Sequence, residues 1–199
     1  MVKILVIIVL IIIIIINIRK EEFLHNKKRL TIFTSSFNLE YENEIKELIK
    51  KIDPKKIEIV LGSRYEGLMG SISDIYKERG GKVISAQVKQ FIDKRYKDDY
   101  IYDTLRERTL QLIELGDNYL VLPGGIGTSN ELFEVLVKNN IKDFNKKIYV
   151  FNINGFYNNI INHLKYLEDK KYIYGSGYKG LNLFISDNID EIAKNINNN

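Results

Sequence analysis

The chain has 199 residues, of which 45% are hydrophobic and 28% are charged, an ordinary balance for one globular domain with a sizeable core. Its 30 lysines and arginines are interleaved with 26 acidic residues, so the net charge of +4 does not indicate a nucleic-acid-binding surface. With no cysteine and only two histidines, disulfides and thiolate chemistry are excluded and a zinc site is not indicated.

The N-terminus carries an unbroken aliphatic run at residues 4–16, followed by the basic residues Arg19 and Lys20. As a helix this run spans about 20 Å, which is shorter than the roughly 30 Å hydrocarbon core of a bilayer, although flanking basic side chains can reach the interfaces. We expect residues 1–18 to form a transmembrane anchor, with membrane association through residues 2–18; a buried extra strand is the alternative. The heavier positive charge after the run would then leave the rest of the chain in the cytoplasm.

Strand and helix patterns alternate over residues 30–196, after a charged linker at residues 19–29. Short apolar, β-branched runs predict strands at residues 30–34, 57–61, 82–86, 119–122, 148–151 and 183–185. Helical periodicity predicts helices at residues 39–52, 68–79, 101–115, 129–137, 156–169 and 189–196. Strands separated by helices require parallel pairing with crossover connections. We therefore predict an α/β protein, a Rossmann-like three-layer fold with a parallel sheet of about six strands.

The most informative segment, residues 122–131, directly follows a predicted strand and reads Leu-Pro-Gly-Gly-Ile-Gly-Thr-Ser-Asn-Glu. Ligands of open parallel sheets bind outside the carboxyl ends of the strands, where this segment lies. Its glycines allow a ligand close to the backbone, and free amides at a helix start favour an anion such as phosphate. A structural alternative stays open, because Thr128 and Glu131 have the spacing of a helix-capping box. In that case Glu131 only satisfies backbone donors.

Residues 123–131 resemble the PGGxGTxxE signature of the LONELY GUY family, cytokinin-activating phosphoribohydrolases once described as lysine decarboxylases. Three other segments resemble the family in the same order. Residues 67–70 read Gly-Leu-Met-Gly, Arg108 stands fifteen residues before Pro123, and residues 152–157 read Asn-Ile-Asn-Gly-Phe-Tyr. The resemblance covers roughly residues 30–196.

The resemblance implies hydrolysis of the N-glycosidic bond of an N6-substituted adenosine 5′-monophosphate, with water and with no metal or other cofactor. The products are a cytokinin-type base and ribose 5-phosphate. Glu131 would stabilise the positive charge that develops on the sugar, and Arg108 would hold the phosphate or polarise the leaving base. The candidates for substrate binding are Gly124, Gly125, Ile126, Gly127, Thr128, Ser129, Asn130, Thr109, Ser35 and Met69. Since relatives commonly form homodimers, we also expect a homodimer.

The sequence departs from the family pattern near these candidates. Thr109 stands where the family has a lysine, and Ser63 and Arg64 stand in place of two glycines of a triplet. These two side chains would either crowd the pocket or let Arg64 supply the missing positive charge. A methionine such as Met69 more often packs in the core than recognises a base. Two other functions therefore stay open, a nucleosidase acting on AMP or other nucleotides and a non-catalytic nucleotide-binding protein.

Overall fold

The computed structural model describes residues 27–37, 40–93 and 97–199. Its seven strands are β1 (Lys28–Phe33), β2 (Ile57–Leu61), β3 (Val83–Val88), β4 (Tyr100–Tyr102), β5 (Asn118–Val121), β6 (Ile148–Phe151) and β7 (Leu183–Ser186). They form one sheet in the order β4-β3-β2-β1-β5-β6-β7, and all six neighbouring pairs are parallel. The helices are α1 (Glu42–Lys51), α2 (Gly67–Glu78), α3 (Leu105–Leu115), α4 (Ile126–Asn140), α5 (Asn158–Asp169) and α6 (Ile189–Asn197).

Helices cover both faces of the sheet and make three layers, which confirms the predicted fold class. On one face α1, α2 and α6 pack through residues such as Ile45, Leu68 and Ile192. On the other face α3, α4 and α5 pack through residues such as Leu112 and Leu132. Because both faces are covered, every residue of β2, β3, β5 and β6 is buried, which explains why these strands are mostly apolar and do not alternate between apolar and polar residues.

The sheet has seven strands rather than about six, because residues 100–102 form the edge strand β4 beside β3. The expected helix at 101–115 is therefore wrong in its first turn. The helix begins at Leu105, after Thr104, which is a true N-cap. The Thr104 hydroxyl accepts a hydrogen bond from the Glu107 amide at 3.2 Å, and the Glu107 carboxylate accepts one from the Thr104 amide at 3.0 Å. This capping box fixes where α3 starts.

The strand order reverses direction at β1, which lies between β2 and β5. Crossovers from β1 and β5 leave towards opposite edges of the sheet, so a crevice opens between the carboxyl ends of these two strands. The loop after β1 and the glycine-rich loop after β5 form the walls of that crevice. The fold therefore brings the segments around residues 35 and 125 together.

The expectation of a transmembrane segment is corrected. Across residues 27–37, 40–93 and 97–199, no helix combines the length and the apolar character needed to cross a membrane. The aliphatic run at residues 4–16, which gave rise to that expectation, lies outside the described residues.

Candidate active site

A cavity of about 280 Å³ opens in the crevice between the carboxyl ends of β1 and β5. Eight of the twelve candidate site residues line it: Arg108, Glu131, Ser35, Met69, Gly125, Ile126, Gly127 and Thr128. The other four, which are not among the described residues that line it, are Gly124, Thr109, Ser129 and Asn130. The cavity also has lining residues that the sequence did not single out for this role: Thr34, Ser36, Phe37, Gly62, Glu66, Gln87, Phe91 and Leu105.

Arg108 of α3 and Glu131 of α4 are in direct contact within this cavity. The Arg108 Nη1 donates a hydrogen bond to the Glu131 Oε1 at 2.6 Å, and both side chains are largely shielded from solvent, with exposed fractions of 14% and 9%. A charge-assisted hydrogen bond of this length is among the stronger contacts in a protein. The geometry therefore couples the two residues that the resemblance selects.

The Arg108 side chain is held in place by two backbone segments. Its Nε donates a hydrogen bond to the Ala86 carbonyl of β3 at 3.3 Å. Its guanidinium also lies against Gly62 at the end of β2, so closely that a Cβ on residue 62 would overlap it. Arg106, two residues away on α3, is exposed, as expected for a position on another side of the helix. The strand ends and α3 together aim Arg108 into the cavity.

Glu131 does not act as part of a capping box. The helix α4 begins at Ile126 with Gly125 as its N-cap, and no side chain caps it. Thr128 is thus already the third residue of the helix. Burial raises the pKa of the Glu131 carboxyl above its usual value, and the charge of Arg108 and its hydrogen bond oppose this effect only in part. Glu131 is therefore a buried carboxyl whose ionised form depends on one arginine.

The glycine-rich loop leaves backbone amides free at the start of α4. Gly124 passes so close to Thr128 that a Cβ on it would overlap the threonine side chain, which keeps the turn tight. Added Cβ atoms at Gly125 and Gly127 would meet nothing within 4 Å, so both face open space at the cavity. The amides of the first helical turn have no intrahelical partner, and together they favour an anion.

The remaining candidates differ in what they do. Met69 has an exposed fraction of only 6% and belongs to the core beneath α1 and α2, yet it also lines the cavity, so it serves both as packing and as cavity wall. The Ser35 hydroxyl accepts a hydrogen bond from the Phe37 amide at 2.9 Å and so shapes the loop after β1. Thr109 and Asn130 lie on helix positions away from the described cavity wall.

Ser63 and Arg64 do not enter the described wall of the cavity. Ser63 is fully buried, and Arg64 turns to the side of β3, where its Nε donates a hydrogen bond to the Ser85 hydroxyl at 2.8 Å and its Nη2 pairs with Asp99. The expectation that these side chains crowd the pocket is therefore wrong. So is the alternative that Arg64 supplies a cation there.

Glu66 and Gln87 are two polar cavity residues, one of them ionisable, that the sequence did not single out. Glu66 directly precedes α2, and its carboxylate accepts a long hydrogen bond from the Gln87 Nε2 at 3.4 Å. Burial raises the pKa of Glu66, which the charge of Arg108 partly opposes. Their position along the chain was the available signal. Glu66 follows β2 and Gln87 stands near the carboxyl end of β3, at the edge of the sheet where a parallel sheet places its ligand.

The mouth of the cavity is apolar. Phe37 and Ile126 are 77% and 91% exposed, and Phe91 and Leu105 are about half exposed. Large exposed apolar side chains that gather around one opening mark a place where an apolar ligand group or another protein surface binds. The cavity thus combines a charged interior with an apolar entrance.

The comparisons with known proteins agree with this picture. The family model described as "Possible lysine decarboxylase" matches residues 69–196. The cytokinin riboside 5′-monophosphate phosphoribohydrolase LOG5 of Arabidopsis thaliana is 26% identical over 154 residues, covering 73% of this chain and 68% of that protein. The protein of the same activity name from Rhodococcoides fascians is 25% identical over 148 residues, covering 70% of this chain and 75% of that protein.

Two solved structures share the fold. The structural-genomics target TM1055 has a TM-score of 0.64 at 17% identity and covers 86% of this chain and 99% of its own. The molybdenum cofactor carrier protein of Chlamydomonas reinhardtii has a TM-score of 0.59 at 14% identity and covers 86% of this chain and 97% of its own. At these identities the likeness establishes the architecture only.

Proposed function

Because this chain belongs to the LONELY GUY family, whose model is the one described as "Possible lysine decarboxylase", we propose that it hydrolyses the N-glycosidic bond of a purine nucleoside 5′-monophosphate. The products would be the free base and ribose 5-phosphate. The observation that carries this proposal is the 2.6 Å contact between Arg108 and Glu131 inside a cavity bordered by the glycine-rich loop.

The start of α4 is the proposed phosphate seat. The helix has 15 residues, its N-cap is a glycine, and no side chain occupies its first-turn amides. A helix of this length presents partial positive charge at its N-terminus, so a 5′-phosphate placed there gains several backbone hydrogen bonds. The ribose would then extend from this seat into the cavity towards Glu131.

Glu131 is the proposed stabiliser of the reacting sugar. When the bond between the purine and C1′ breaks, positive charge builds on the ribose ring, and a preorganised carboxylate close to that charge lowers the barrier. The same carboxylate can orient the attacking water. Arg108 would favour the ionised form of the buried Glu131. Because Arg108 lies between β3 and α4, it would also contact the substrate.

The apolar entrance supports a base with an apolar N6 substituent, as in a cytokinin. Phe37, Phe91, Leu105 and Ile126 could cover such a group, whereas plain adenine would leave them exposed. A broader preference that includes AMP is the second candidate. The two are separated by comparing base release from both nucleotides.

A homodimer is part of the proposal. On the outer side of α4, Phe133, Val137 and Ile141 recur every four residues and are all exposed. An apolar stripe of this kind fits the same helix of a second copy. Analytical ultracentrifugation of the chain, compared with a Val137→Glu and Ile141→Glu double variant, tests it: the wild type should sediment as a dimer and the variant as a monomer.

The central experiment incubates the chain with N6-isopentenyladenosine 5′-monophosphate or AMP and measures free base by chromatography. We expect release from the first nucleotide to exceed release from AMP. Glu131→Gln should abolish release while the circular dichroism spectrum stays unchanged, whereas Glu134→Gln, an exposed acid one turn away, should retain activity. If wild-type protein binds both nucleotides and cleaves neither, the non-catalytic alternative is correct.

A further inference from the structure

Glu66 is an ionisable cavity residue to which the proposed reaction assigns no role. It occupies the N-cap position of α2, yet its side chain accepts no hydrogen bond from the helix amides. Capping side chains elsewhere in the chain behave differently, since those of Thr104 and Asn188 both accept from a backbone amide of their helix. The carboxyl group of Glu66 instead lines the cavity.

The two cavity carboxyls differ in their partners. Glu131 accepts a hydrogen bond from the Nη1 of Arg108, and the Nε of the same guanidinium donates one to the Ala86 carbonyl. Among the described residues, Glu66 forms no ion pair and has one long hydrogen bond, from Gln87. One carboxyl is thus held by a cation, and the other is left facing the cavity without one.

Charges on two other elements act on the pKa of Glu66 in opposite directions, and the effect of Arg108 is larger than that of Asp98. Asp98, just before β4, is buried and lies near enough to disfavour a second negative charge, and the Tyr65 hydroxyl hydrogen-bonds to it at 3.3 Å. Arg108 on α3 acts in the opposite direction from across the cavity, and Gln87 on β3 is uncharged. Burial is the largest effect, so the pKa of Glu66 lies above its usual value.

We propose that Glu66 is the general acid that protonates the leaving purine, an inference that rests on the proposed nucleotide hydrolysis. In this step the bond between N9 and C1′ breaks, and its electron pair goes to the purine. The proton of the Glu66 carboxyl goes to a ring nitrogen of the base. Water adds to C1′, and the proton that it releases restores Glu66. The sum is one nucleotide and one water giving one neutral base and ribose 5-phosphate.

In this assignment Glu131 stabilises the sugar and Glu66 protonates the leaving base, and the surroundings of each carboxyl suit its role. Glycoside-cleaving sites commonly pair an ionised carboxylate, which stabilises the cationic sugar, with a protonated one, which assists the leaving group. Arg108 favours the ionised state at Glu131. At Glu66, burial, the lack of an ion pair with any described residue and the charge of Asp98 favour the protonated state, against the effect of Arg108.

The decisive experiment varies the leaving group. A purine methylated at N7 is already cationic in the nucleotide and needs no proton to depart. We therefore compare Glu66→Gln with wild type on N6-isopentenyladenosine 5′-monophosphate and AMP, and on guanosine 5′-monophosphate with and without a 7-methyl group. Glu78→Gln, which removes an exposed acid at the far end of α2, is the matched control.

We expect Glu66→Gln to lower kcat at least about 100-fold on the unmethylated nucleotides that wild type cleaves, the range of general acid catalysis. On the 7-methyl nucleotide the variant should stay within a few-fold of wild type. Equal losses on both kinds of nucleotide, or no loss on either, would overturn the inference.

A second measurement, the pH dependence of kcat/KM, does not require that the protein cleaves a methylated nucleotide. In wild type, kcat/KM for the N6-isopentenyl nucleotide should fall on the alkaline side as Glu66 loses its proton, and this limb should be missing in Glu66→Gln. Persistence of the limb in the variant contradicts the role of Glu66. If wild type releases no base from any nucleotide, the proposed function fails, whereas full activity of Glu66→Gln refutes only this inference.

Discussion

The backbone of Gly62 and the guanidinium of Arg108 are in such close contact that no side chain fits at residue 62. Gly62 directly follows β2 and begins its crossover to β3, whereas Arg108 projects from α3 in the crossover from β4 to β5, so the contact joins two separate crossovers. Residue 62 must therefore be glycine for the arginine to reach Glu131.

The substitution Gly62→Ala should accordingly displace the arginine without unfolding the chain. The added methyl group pushes the guanidinium out of its contact with Glu131, and a misplaced catalytic group costs about 100-fold in rate. Base release measured alongside the melting temperature checks this. Gly180→Ala is the control, because a Cβ there meets only an ordinary contact at 3.5 Å. An active Gly62→Ala protein would show that Arg108 need not occupy its observed position.

Replacing Arg108 with methionine should move the acid limb of the pH profile. Arg108 lowers the pKa of Glu131 against the effect of burial, so its loss raises that pKa further. Because the proposed reaction needs the ionised carboxylate, the rising limb of kcat/KM shifts to higher pH, and the plateau falls by about 100-fold or more. Arg108→Lys, which keeps the charge, should shift the limb less. An unchanged limb in both variants would mean that Glu131 does not control it.

The same change should make the free energy of unfolding depend more strongly on pH than in the wild type, where burial already raises the pKa of Glu131. In Arg108→Met the folded-state pKa of Glu131 exceeds its unfolded value, so the folded protein holds a proton that the unfolded chain releases, and the free energy of unfolding falls as pH rises through that window. A buried charge without its partner costs about 3–5 kcal/mol. Urea unfolding at about pH 5 and about pH 8 measures the difference.

The double variant Arg108→Met with Glu131→Leu is the companion to that experiment. Replacing a buried ion pair with apolar side chains is often neutral for stability, so the double variant should regain most of the loss and its pH dependence should vanish. It should release no base. A double variant less stable than Arg108→Met would indicate that the pair is mainly structural.

Unlike Arg108 and Glu131, Tyr157 is a residue near the site for which we expect only a structural role. Its hydroxyl donates a hydrogen bond to the Leu122 carbonyl at 2.6 Å, and the side chain is buried. Tyr157→Phe leaves that carbonyl without its partner, which should lower the free energy of unfolding by about 1–2 kcal/mol. Base release at saturating nucleotide should change only a few-fold. A loss as deep as that of Glu131→Gln would instead place the tyrosine in the reaction.

Local sequence patterns predicted most of the sheet because its strands are buried on both faces. Ile57–Leu61 and Ile148–Phe151 match their predicted bounds for this reason. The edge strand Tyr100–Tyr102 lacks that burial and has only three residues. Its apolar residues therefore fitted the periodicity of the helix that follows it. Pairing with β3, which no local pattern encodes, makes it a strand.

Two segments with the same spacing show where sequence reasoning reaches its limit. Thr104 and Glu107 form a capping box, whereas Thr128 and Glu131 do not, although both pairs fit the motif. The difference is that Gly125 lets α4 start earlier, which places Thr128 inside the helix and frees Glu131 for Arg108. Glu66 was missed because its importance depends on β2 and β3 being neighbours.

The cavity is assembled from pieces that are far apart along the chain. Ser35 and Glu131 are separated by about one hundred residues, and Gly62 and Arg108 come from two crossovers between them. A partly refolded chain can form its helices early, since these need only local contacts, but closing long loops between parallel strands is slow. During refolding from denaturant, recovery of base release should therefore lag behind recovery of the helical signal, so that turnover reports the completed sheet.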